Sequence, residues 1–590
     1  MSLLAGTKIK DDRRMNKVYN TVWSESRGMW VVTSELVRKG GPRPRQMKKA
    51  AVAGMIALIL GQNVAPAWGA ILRGGDAHIA VRTGGVMELS GVAYGDKSIE
   101  SGGEVRVFSD ARDNSDVVFS EGSQVINRRG RAITVSSGNT LVVSSNDTAS
   151  STTINSGGVM SVTSGGSAIN TVINSGGFLS VNTGGSATNI NQSSGAAIVV
   201  NTGAGLISGS RYDGVNFEIS GGSASNVLLE NGGQLSVLSG HSAISTTVSS
   251  GGKVIVSGTT TSTVINSSGR EEVYSGGKAS NTVISNGGLQ VISDDGCAVS
   301  ATVSTGGSQF VYGNGIASHT MVSNGGSLSV SGGTTFSTVI YQGGKENVYS
   351  GGQASNTIIS SGGSQFIGDR GSAVSTTILS SGYQVVSGGI AIDTIISNGG
   401  RGFVYSGGQA SKTVISNGGS LNVSGGTTFS TVIYQGGKEN VYSGGQASNT
   451  VISQGGSQVV TNGGVASYTS VTDGGRLSVN NASTISTVIY QGGRENVNSG
   501  GQASNTVISS SGLQLISSGG TATNTVISSG GSQVIYNGGS AVSAAVSSGG
   551  FQIVSSGGKA SNTVISSGGS QVINDGGSAV SAAEIGRAHV

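Results

Sequence analysis

Cysteine, proline, charged residues and aromatic residues are all scarce in this chain of 590 residues. The single cysteine excludes an intramolecular disulfide, so packing and hydrogen bonding must hold the fold together. All three prolines lie before residue 67, so no later residue lacks the backbone N–H that a strand ladder needs. Aromatic residues make up 5% and charged residues 11%, whereas globular domains average about 25% charged residues. These absences argue against a disulfide scaffold and against an ordinary compact domain.

The formal charge of +4 is unevenly distributed. Residues 1–67 contain twelve of the 33 Lys and Arg and four of the 29 Asp and Glu, so the remainder carries 21 basic and 25 acidic residues. Nucleic-acid binding needs a basic surface on the folded part of a protein. The basic surplus lies in the N-terminal segment instead, and no nucleic-acid partner is predicted.

Glycine is abundant, with 103 residues, and its placement is regular. Gly-Gly pairs near the C-terminus are spaced alternately by eleven and eight residues, beginning at Gly519, Gly530, Gly538, Gly549, Gly557, Gly568 and Gly576. A fixed period of about 20 residues indicates a stacked solenoid. Short β-prone runs such as Gln-Val-Ile-Tyr at 533–536 recur in register, which disordered glycine-rich sequence does not require.

The period also limits the geometry of each repeat. Nineteen residues at about 3.3 Å each give a perimeter of about 60 Å, enough for a few short strands joined by tight corners. Glycine pairs suit corners that need a positive φ or close approach between coils. Alternate side chains then face inward, and we expect Val, Ile, Leu, Ala and Thr to fill the interior. The predicted fold class is all-β, a parallel β-helix (solenoid) of about 26 coils of about 19 residues.

The N-terminal segment has the parts of a secretory signal in the right order. Lys48 and Lys49 precede eleven apolar residues at 50–60, and small residues follow at 65–70. A basic region, an apolar core of about 7–15 residues and a small-residue exit describe a signal peptide. The apolar run is too short to cross a bilayer, which needs about 20 residues. Export is predicted, with cleavage after Ala67 or Gly69.

Two motifs ahead of this core resemble the extended signal-peptide region of large Gram-negative autotransporters. They read Met-Asn-Lys-Val-Tyr-Asn-Thr-Val-Trp at 15–23 and Val-Val-Thr-Ser-Glu-Leu-Val-Arg at 31–38. The resemblance implies that Met15 is the natural start and that residues 15–67 form the extended signal peptide. Residues 1–14 are then expected to be an upstream or non-native extension.

The repeats resemble the strand-loop-strand repeats of AIDA-type and self-aggregating autotransporter adhesins. The segments that carry this resemblance read Ser-Asn-Thr-Val-Ile-Ser-Ser-Gly-Gly at 561–569 and Ser-Asn-Thr-Val-Ile-Ser-Gln-Gly-Gly at 448–456. The resemblance implies a right-handed parallel β-helix, secreted through the periplasm and displayed on the outer-membrane surface of a Gram-negative cell. It also implies a heptosyltransferase partner, with Ser528, Ser529, Ser547, Ser548, Ser566 and Ser567 as candidate glycan acceptors. The alternative is that small hydroxyl residues simply fit the corners.

Breaks in the rhythm divide the chain. Residues 68–150 are more charged and less periodic, and we expect an N-terminal cap with irregular first coils there, followed by the β-helical repeat passenger at 151–583. Residues 191–220 lose the glycine pairs, which indicates a degenerate coil or an outward loop. Residues 584–590 interrupt a copied repeat and resemble a translated sequencing adapter. We therefore expect a C-terminal β-barrel translocator, inserted by the outer-membrane insertion machinery, to be absent from this chain.

No catalytic residue, metal site or cofactor is predicted. His78, His241 and His319 lie far apart in the repeat and are expected in exposed loops. Some β-helical enzymes use paired carboxyls, but Glu271–Glu272 and Asp294–Asp295 are better explained as turn and ladder charges.

Near-identical repeats also contain adjacent basic and acidic residues. We expect these to form solvent-facing charge pairs: Lys345–Glu346, Lys438–Glu439 and Arg494–Glu495. Cys297 stands where other repeats have serine, and it is interpreted as a substitution at a loop exit.

The favoured function is that of a non-enzymatic surface adhesin. Multivalent polar contacts along ladders of Asn, Thr, Ser and Lys/Glu would support autoaggregation with passengers on neighbouring cells, biofilm formation, or attachment to a host-surface receptor or glycan. One alternative is a β-helical carbohydrate-active enzyme, which would need a cleft with clustered carboxyls. Another is a spacer that presents a binding tip at residues 70–150.

Overall fold

The computed structural model describes residues 133–585 in full and, before them, the backbone of ten short strands between Tyr19 and Asn127. Two units are distinguished. In the first, Met1–Pro66, strands Tyr19–Ser24 and Met29–Ser34 pair antiparallel. The second, Ala67–Val590, contains the repeats. Within the described residues all regular structure is β, and no helix there could span a membrane.

Each regular coil contains three short strands. In one coil these are Ser532–Ile535, Ser540–Val542 and Ala545–Val546. Each pairs in parallel with its equivalent in the next coil, namely Phe551–Val554, Lys559–Ser561 and Val564–Ser566. Ser532 lies opposite Phe551, nineteen residues further along the chain. The predicted parallel β-solenoid with coils of about nineteen residues is confirmed.

Stacking extends these strands into three long sheets, named A, B and C in the order in which a coil passes through them. Their described strands number 26, 28 and 20. Sheet A carries the sites considered below. From residue 140 onward its strands are Thr140–Val143, Val159–Val162, Phe178–Val181, Ala197–Asn201, Gln234–Val237, Lys253–Val256, Arg270–Val273, Leu289–Ile292, Ser308–Tyr312, Ser327–Ser331, Lys345–Tyr349, Ser364–Ile367, Tyr383–Val386, Arg401–Val404, Ser420–Val423, Lys438–Val441, Ser457–Thr461, Arg476–Asn480, Arg494–Asn498, Leu513–Ile516, Ser532–Ile535, Phe551–Val554 and Ser570–Ile573.

Alternation along each strand decides which side chains enter the interior. In strand Ser532–Ile535, Gln533 and Ile535 are buried and their neighbours face outward. Ala541 of sheet B and Val546 of sheet C are buried in the same coil. Such residues form an apolar cluster that runs from Val135 to Val546, and a second cluster spans residues 497–560. The interior is therefore apolar as expected, but it also contains a regular column of glutamine and glutamate.

Three corners close each coil, and the glycine pattern predicts two of them. Glycine pairs lie eight residues apart across sheet A and eleven apart across sheets B and C together. At Gly530 the φ angle is +76°, in the left-handed region where glycine is favoured. The third corner, between sheets B and C, uses one non-glycine residue with a positive φ, such as Asn524, Ser543 or Asn562. Asparagine tolerates this conformation better than most residues.

The expected interruption around residues 191–220 is an antiparallel excursion of sheet B. Strand Ile207–Arg211 pairs antiparallel with Asn216–Ser220, which in turn pairs antiparallel with Ser223–Ser225. Parallel stacking then resumes at Ser242–Ile244. Regular pairing also begins before residue 151, since Thr134–Val135 pairs with the strand one coil later.

Candidate interaction surfaces and buried carboxyl sites

Four glutamates lie inside the solenoid. Glu271, Glu346, Glu439 and Glu495 each occupy the second position of a sheet A strand and are 0% exposed. Because neighbouring residues of a strand point to opposite faces, the preceding Lys345, Lys438 and Arg494 face solvent. The expectation of solvent-facing Lys–Glu and Arg–Glu pairs is therefore wrong.

Each buried carboxyl accepts four hydrogen bonds from neutral donors. At Glu439, the hydroxyls of Thr428 and Thr431 donate to Oε1 at 2.9 and 3.2 Å. The Thr450 hydroxyl and the Gln458 amide donate to Oε2 at 3.4 and 2.7 Å. The other three glutamates have the same arrangement, with three threonines and one glutamine each. The sequence thus builds one polar site four times.

Glutamine ladders explain why a carboxyl stands at these positions. After Glu495, Gln514, Gln533, Gln552 and Gln571 follow in successive coils, and each Nε2 donates to the preceding side chain at 2.6–2.8 Å. Since every amide donates toward the preceding coil, the first amide of a run needs an acceptor without a competing donor. A glutamate supplies this acceptor and has no amide of its own to satisfy. A glutamine there would lack an acceptor, because the residue in register one coil earlier is apolar: Val254, Leu328, Leu421 or Leu477.

Burial dominates the titration of these carboxyls. Removal from water raises the pKa of Glu439 above its ordinary value, and the donated hydrogen bonds from Thr428, Gln458, Thr431 and Thr450 only partly oppose this. The pKa values of Glu271, Glu346 and Glu495 are raised for the same reason. No cation donates to any of the four within residues 133–585.

Glu271 and Glu272 are adjacent but face opposite sides of their strand. Glu272 lies outside, where its carboxylate is 2.7 Å from Lys253 and 2.6 Å from Arg270. The Tyr274 hydroxyl donates to it at 2.6 Å, which raises the pKa of Tyr274 to about 12. Burial alone would raise the pKa of Glu272, but Lys253, Tyr274 and Arg270 hold it below its ordinary value. Two carboxyls on opposite faces cannot act on one substrate.

The other predicted positions are scattered. His319 is exposed, as expected, whereas His241 is half-buried with Nδ1 2.8 Å from the Thr202 hydroxyl oxygen. His78 lies outside the described residues. Asp294 and Asp295 are exposed turn residues with positive φ, and Cys297 is a half-buried free thiol at the start of strand Cys297–Val299. Residues 133–585 contain no cluster of three or more potential metal ligands.

The six candidate glycan-acceptor serines fall into two columns at the corner between sheets C and A. Ser529, Ser548 and Ser567 are exposed, and the backbone N–H groups of Ser529 and Ser548 each donate to the carbonyl of the serine one coil later. The preceding serines, Ser528, Ser547 and Ser566, are half-buried. The first column is therefore the more accessible of the two to a modifying enzyme.

An aliphatic column runs along the outer face of sheet C. It is formed by the first residue of most sheet C strands, and these residues stack in register from coil to coil, as at Val488, Val507 and Val526. Four strands begin with a hydroxyl residue instead and interrupt the column: Thr247, Thr302, Thr377 and Ser470. We call it the sheet C column. Its exposed members are Val264, Val283, Met321, Ile358, Ile395, Val488, Val507, Val526 and Val564. Sequence analysis predicted polar outer ladders and missed this apolar one.

Comparison with known protein families identifies the family to which these repeats belong. A family described as "Adhesin of bacterial autotransporter system, probable stalk" matches residues 125–177, 208–269, 273–326, 380–437, 441–493, 496–550 and 518–569. The chain belongs to this family. The extended signal peptide of the type V secretion system matches residues 15–62 and confirms the resemblance of the two N-terminal motifs. The chain is therefore part of an autotransporter passenger exported through the periplasm to the outer-membrane surface of a Gram-negative cell.

Two relatives align with short parts of this chain. Autotransporter CRAC of Citrobacter rodentium is 52% identical over 94 residues, which cover 16% of this chain and 6% of that protein. Autotransporter adhesin/invasin TibA of Escherichia coli is 72% identical over 46 residues, covering 8% and 5%. The chain thus aligns with less than a tenth of the length of either relative.

Two solved structures show partial similarity. A crystal structure of a TibC-catalysed hyper-glycosylated TibA fragment is 32% identical, with a TM-score of 0.37, covering 57% of this chain and 99% of that one. The PL6 family alginate lyase AlyGC is 9% identical with a TM-score of 0.18, covering 85% and 97%.

Proposed function

We propose that this passenger is a non-enzymatic adhesin that associates with copies of itself on neighbouring cells, through the sheet C column. The observation that carries the proposal is the set of exposed aliphatic side chains that stack in register on the outer face of a parallel sheet. Contiguous exposed apolar surface on a soluble protein commonly marks an interaction site. Autoaggregation, biofilm formation and attachment would all follow from such a surface on the cell exterior.

The mechanism is multivalent. Coils repeat at about 4.8 Å on every copy, so two copies can form many apolar contacts at once. No single contact then needs to be strong or specific. Each exposed aliphatic side chain contributes little, but linked contacts raise the overall affinity greatly. Outer Asn, Ser and Thr side chains would add polar contacts, whereas the lumen glutamates cannot contribute.

The test places charges on the sheet C column. The complete protein is expressed in a non-clumping host, and settling is compared with that of Val488→Lys/Val507→Lys/Val526→Lys. We expect the variant to settle as slowly as the empty host, because repeated like charges oppose pairing. The matched control is Ser483→Lys/Gln502→Lys/Thr521→Lys on sheet B of the same coils, which should settle like the parent. Equal effects of the two variants would contradict the proposal.

We also propose that Ser529, Ser548 and Ser567 are the glycan acceptors among the six candidates, with a heptosyltransferase as the modifying partner. Their exposure supports this choice over Ser528, Ser547 and Ser566. Intact-mass measurement of passenger from the native host would test it. Loss of three sugar-sized increments in a triple Ser→Ala variant of the exposed column is expected. A mass without any such increment in the parent would refute the proposal.

A further inference from the structure

A second surface carries unpaired positive charge. On the outer face of sheet A, the first strand position holds Arg401, Lys438, Arg476 and Arg494 over six successive coils, all exposed. With about 4.8 Å between coils, the gaps between these cations are about 10, 10 and 5 Å. We call this set the sheet A cation column.

The excess of positive charge on this face follows from burial of the glutamates. Residues 401–498 contain three acidic residues, Glu439, Asp473 and Glu495, and two of them are enclosed in the lumen. Asp473 is exposed at the corner before Arg476, but the ion pairs of residues 133–585 involve none of the four cations. A sequence that reads as alternating basic and acidic residues therefore presents mainly positive charge outward.

An internal comparison shows what this column lacks. Lys253 and Arg270 occupy the same position in adjacent coils, and Glu272 lies beside both, within 2.7 Å. Arg476 and Arg494 are likewise opposite each other in adjacent coils. The residue equivalent to Glu272 is Asn496, which carries no charge. Like charges directly opposite each other destabilise a sheet, and no described group offsets them here.

Neighbouring side chains suit a sugar chain. Phe403 and Tyr405 follow Arg401 on the same face, with ring centroids 6.2 Å apart and planes at 12°. Such rings can stack on the C–H faces of sugar rings. The Asn440 amide, which is 8% exposed, donates to the side-chain oxygen of the half-buried Asn422 at 2.9 Å and holds that side chain in place on the face. The Asn422 amide can hydrogen-bond to a sugar hydroxyl.

We propose that the outer face of sheet A between residues 401 and 498 binds a linear acidic polysaccharide. Its carboxylate or sulfate groups would occupy the place between Arg476 and Arg494 that Glu272 occupies between Lys253 and Arg270. The inference deepens the proposed adhesive function and rests on it for its biological setting. Duplex DNA fits less well, because it carries a charge about every 1.7 Å and needs denser cations.

The experiment measures binding of purified folded passenger to heparin, hyaluronan, neutral dextran and duplex DNA at several salt concentrations. We expect heparin and hyaluronan to bind, with affinity falling as salt rises, and dextran not to bind. Arg476→Ser/Arg494→Ser should weaken heparin binding at least tenfold and reduce the salt dependence by about two charge contacts. Serine occupies this position at Ser457, so the substitution suits the strand.

A second variant tests the geometry rather than the charge count. Asn496→Glu should neutralise the two arginines internally, as Glu272 does, and weaken heparin binding about tenfold while both arginines remain. Each variant has a control that changes the net charge by the same amount away from this face. The control for Asn496→Glu is Ser504→Glu on sheet B, and the control for Arg476→Ser/Arg494→Ser is Lys412→Ser/Lys559→Ser. Each control should bind within about threefold of the parent.

Three results would overturn the inference: no binding of the parent to either acidic polysaccharide, equal losses in variants and controls, or tighter binding of DNA that depends on the same arginines. Circular dichroism would verify that every variant is folded. Settling assays separate the two proposals. Variants of sheet A that lose heparin binding but still aggregate leave the sheet C proposal intact, and the reverse result leaves this inference intact.

Discussion

The glycine pairs lead to a sharp prediction, because the two members of a pair have different tasks. A Cβ atom placed on Gly531 would lie 2.5 Å from the Ile508 carbonyl oxygen and 2.6 Å from its carbon, in the preceding coil. Both atoms are backbone and cannot rotate away. A Cβ on Gly530 would meet nothing within 4 Å, but its φ of +76° disfavours any other residue.

These geometries predict different free-energy costs for the two alanine substitutions. At Gly530, alanine costs about 1–2 kcal/mol for the left-handed conformation, offset by about 0.4–1 kcal/mol from the reduced freedom of the unfolded chain. At Gly531, overpacking costs about 1–3 kcal/mol. Separating the coils would also stretch the 3.0 Å bond from the Ser528 N–H to the Ile508 carbonyl, worth about 1 kcal/mol. The offset from the unfolded chain applies at Gly531 as well. With it, we expect Gly531→Ala to cost about 3 kcal/mol, near the upper end of the range because the close contacts are with backbone atoms, and Gly530→Ala less than about 1.5 kcal/mol.

Hydrogen exchange is the suitable assay, because opening in a long solenoid is local. A loss of about 3 kcal/mol should speed exchange of the amides at residues 505–535 by about 100-fold. Gly530→Ala should change the same amides by about tenfold or less, and coils before residue 450 should be unaffected by either variant. Equal effects of the two alanines, or a larger effect at Gly530, would refute the division of tasks within the pair.

Three further predictions concern the interior. Ile527→Ala, at a lumen position that is 0% exposed, should destabilise its coil by about 2–5 kcal/mol, whereas Val526→Ala, on the outer face, should cost less than about 1 kcal/mol. Hydrogen exchange of residues 505–550 measures both costs, and a larger effect of Val526→Ala would contradict the prediction. Thr428→Val removes a donor to Glu439 and should destabilise by about 1–3 kcal/mol, while the exposed neighbour Thr427→Val should be nearly neutral by the same assay. The raised pKa of the lumen glutamates means that their contribution is fully present below the unfolded pKa of about 4.3 and is lost as pH rises through the folded pKa. Denaturant unfolding should therefore show the parent gaining stability between pH 8 and 5 relative to a variant with all four changed to glutamine, and a pH-independent difference would contradict this.

The architecture could be predicted from the sequence because its cause is repeated about every nineteen residues. Glycine spacing predicts the corners at both ends of sheet A, and the strand runs between them leave little freedom in register. The corner at Asn562 was missed because asparagine, unlike a glycine pair, does not stand out from the strands around it. The break at residues 191–220 was predicted, but the antiparallel pairing of Asn216–Ser220 with the strands on either side of it in the chain was not.

The buried carboxyls were misjudged because charge was given more weight than alternation. Glu346 is two residues from Val348, which is buried, and it stands in register with Gln365. Both facts put it inside, yet an adjacent lysine and glutamate suggested an exposed pair. A four-donor site makes burial tolerable, and those donors come from three different coils. That arrangement becomes visible only when the coils are stacked.

Disulfide cross-linking between coils tests the central claim, in-register stacking, most directly. With Cys297 replaced by serine, Val526→Cys/Ala545→Cys places two cysteines on adjacent rungs of sheet C, with their Cα atoms about 4.8 Å apart. Disulfides span about 4.4–6.8 Å between Cα atoms, so this pair should oxidise readily within one chain. Val526→Cys/Val564→Cys, two rungs apart at about 10 Å, should not. Equal cross-linking of the two pairs, or none in the adjacent pair, would contradict the stacked solenoid.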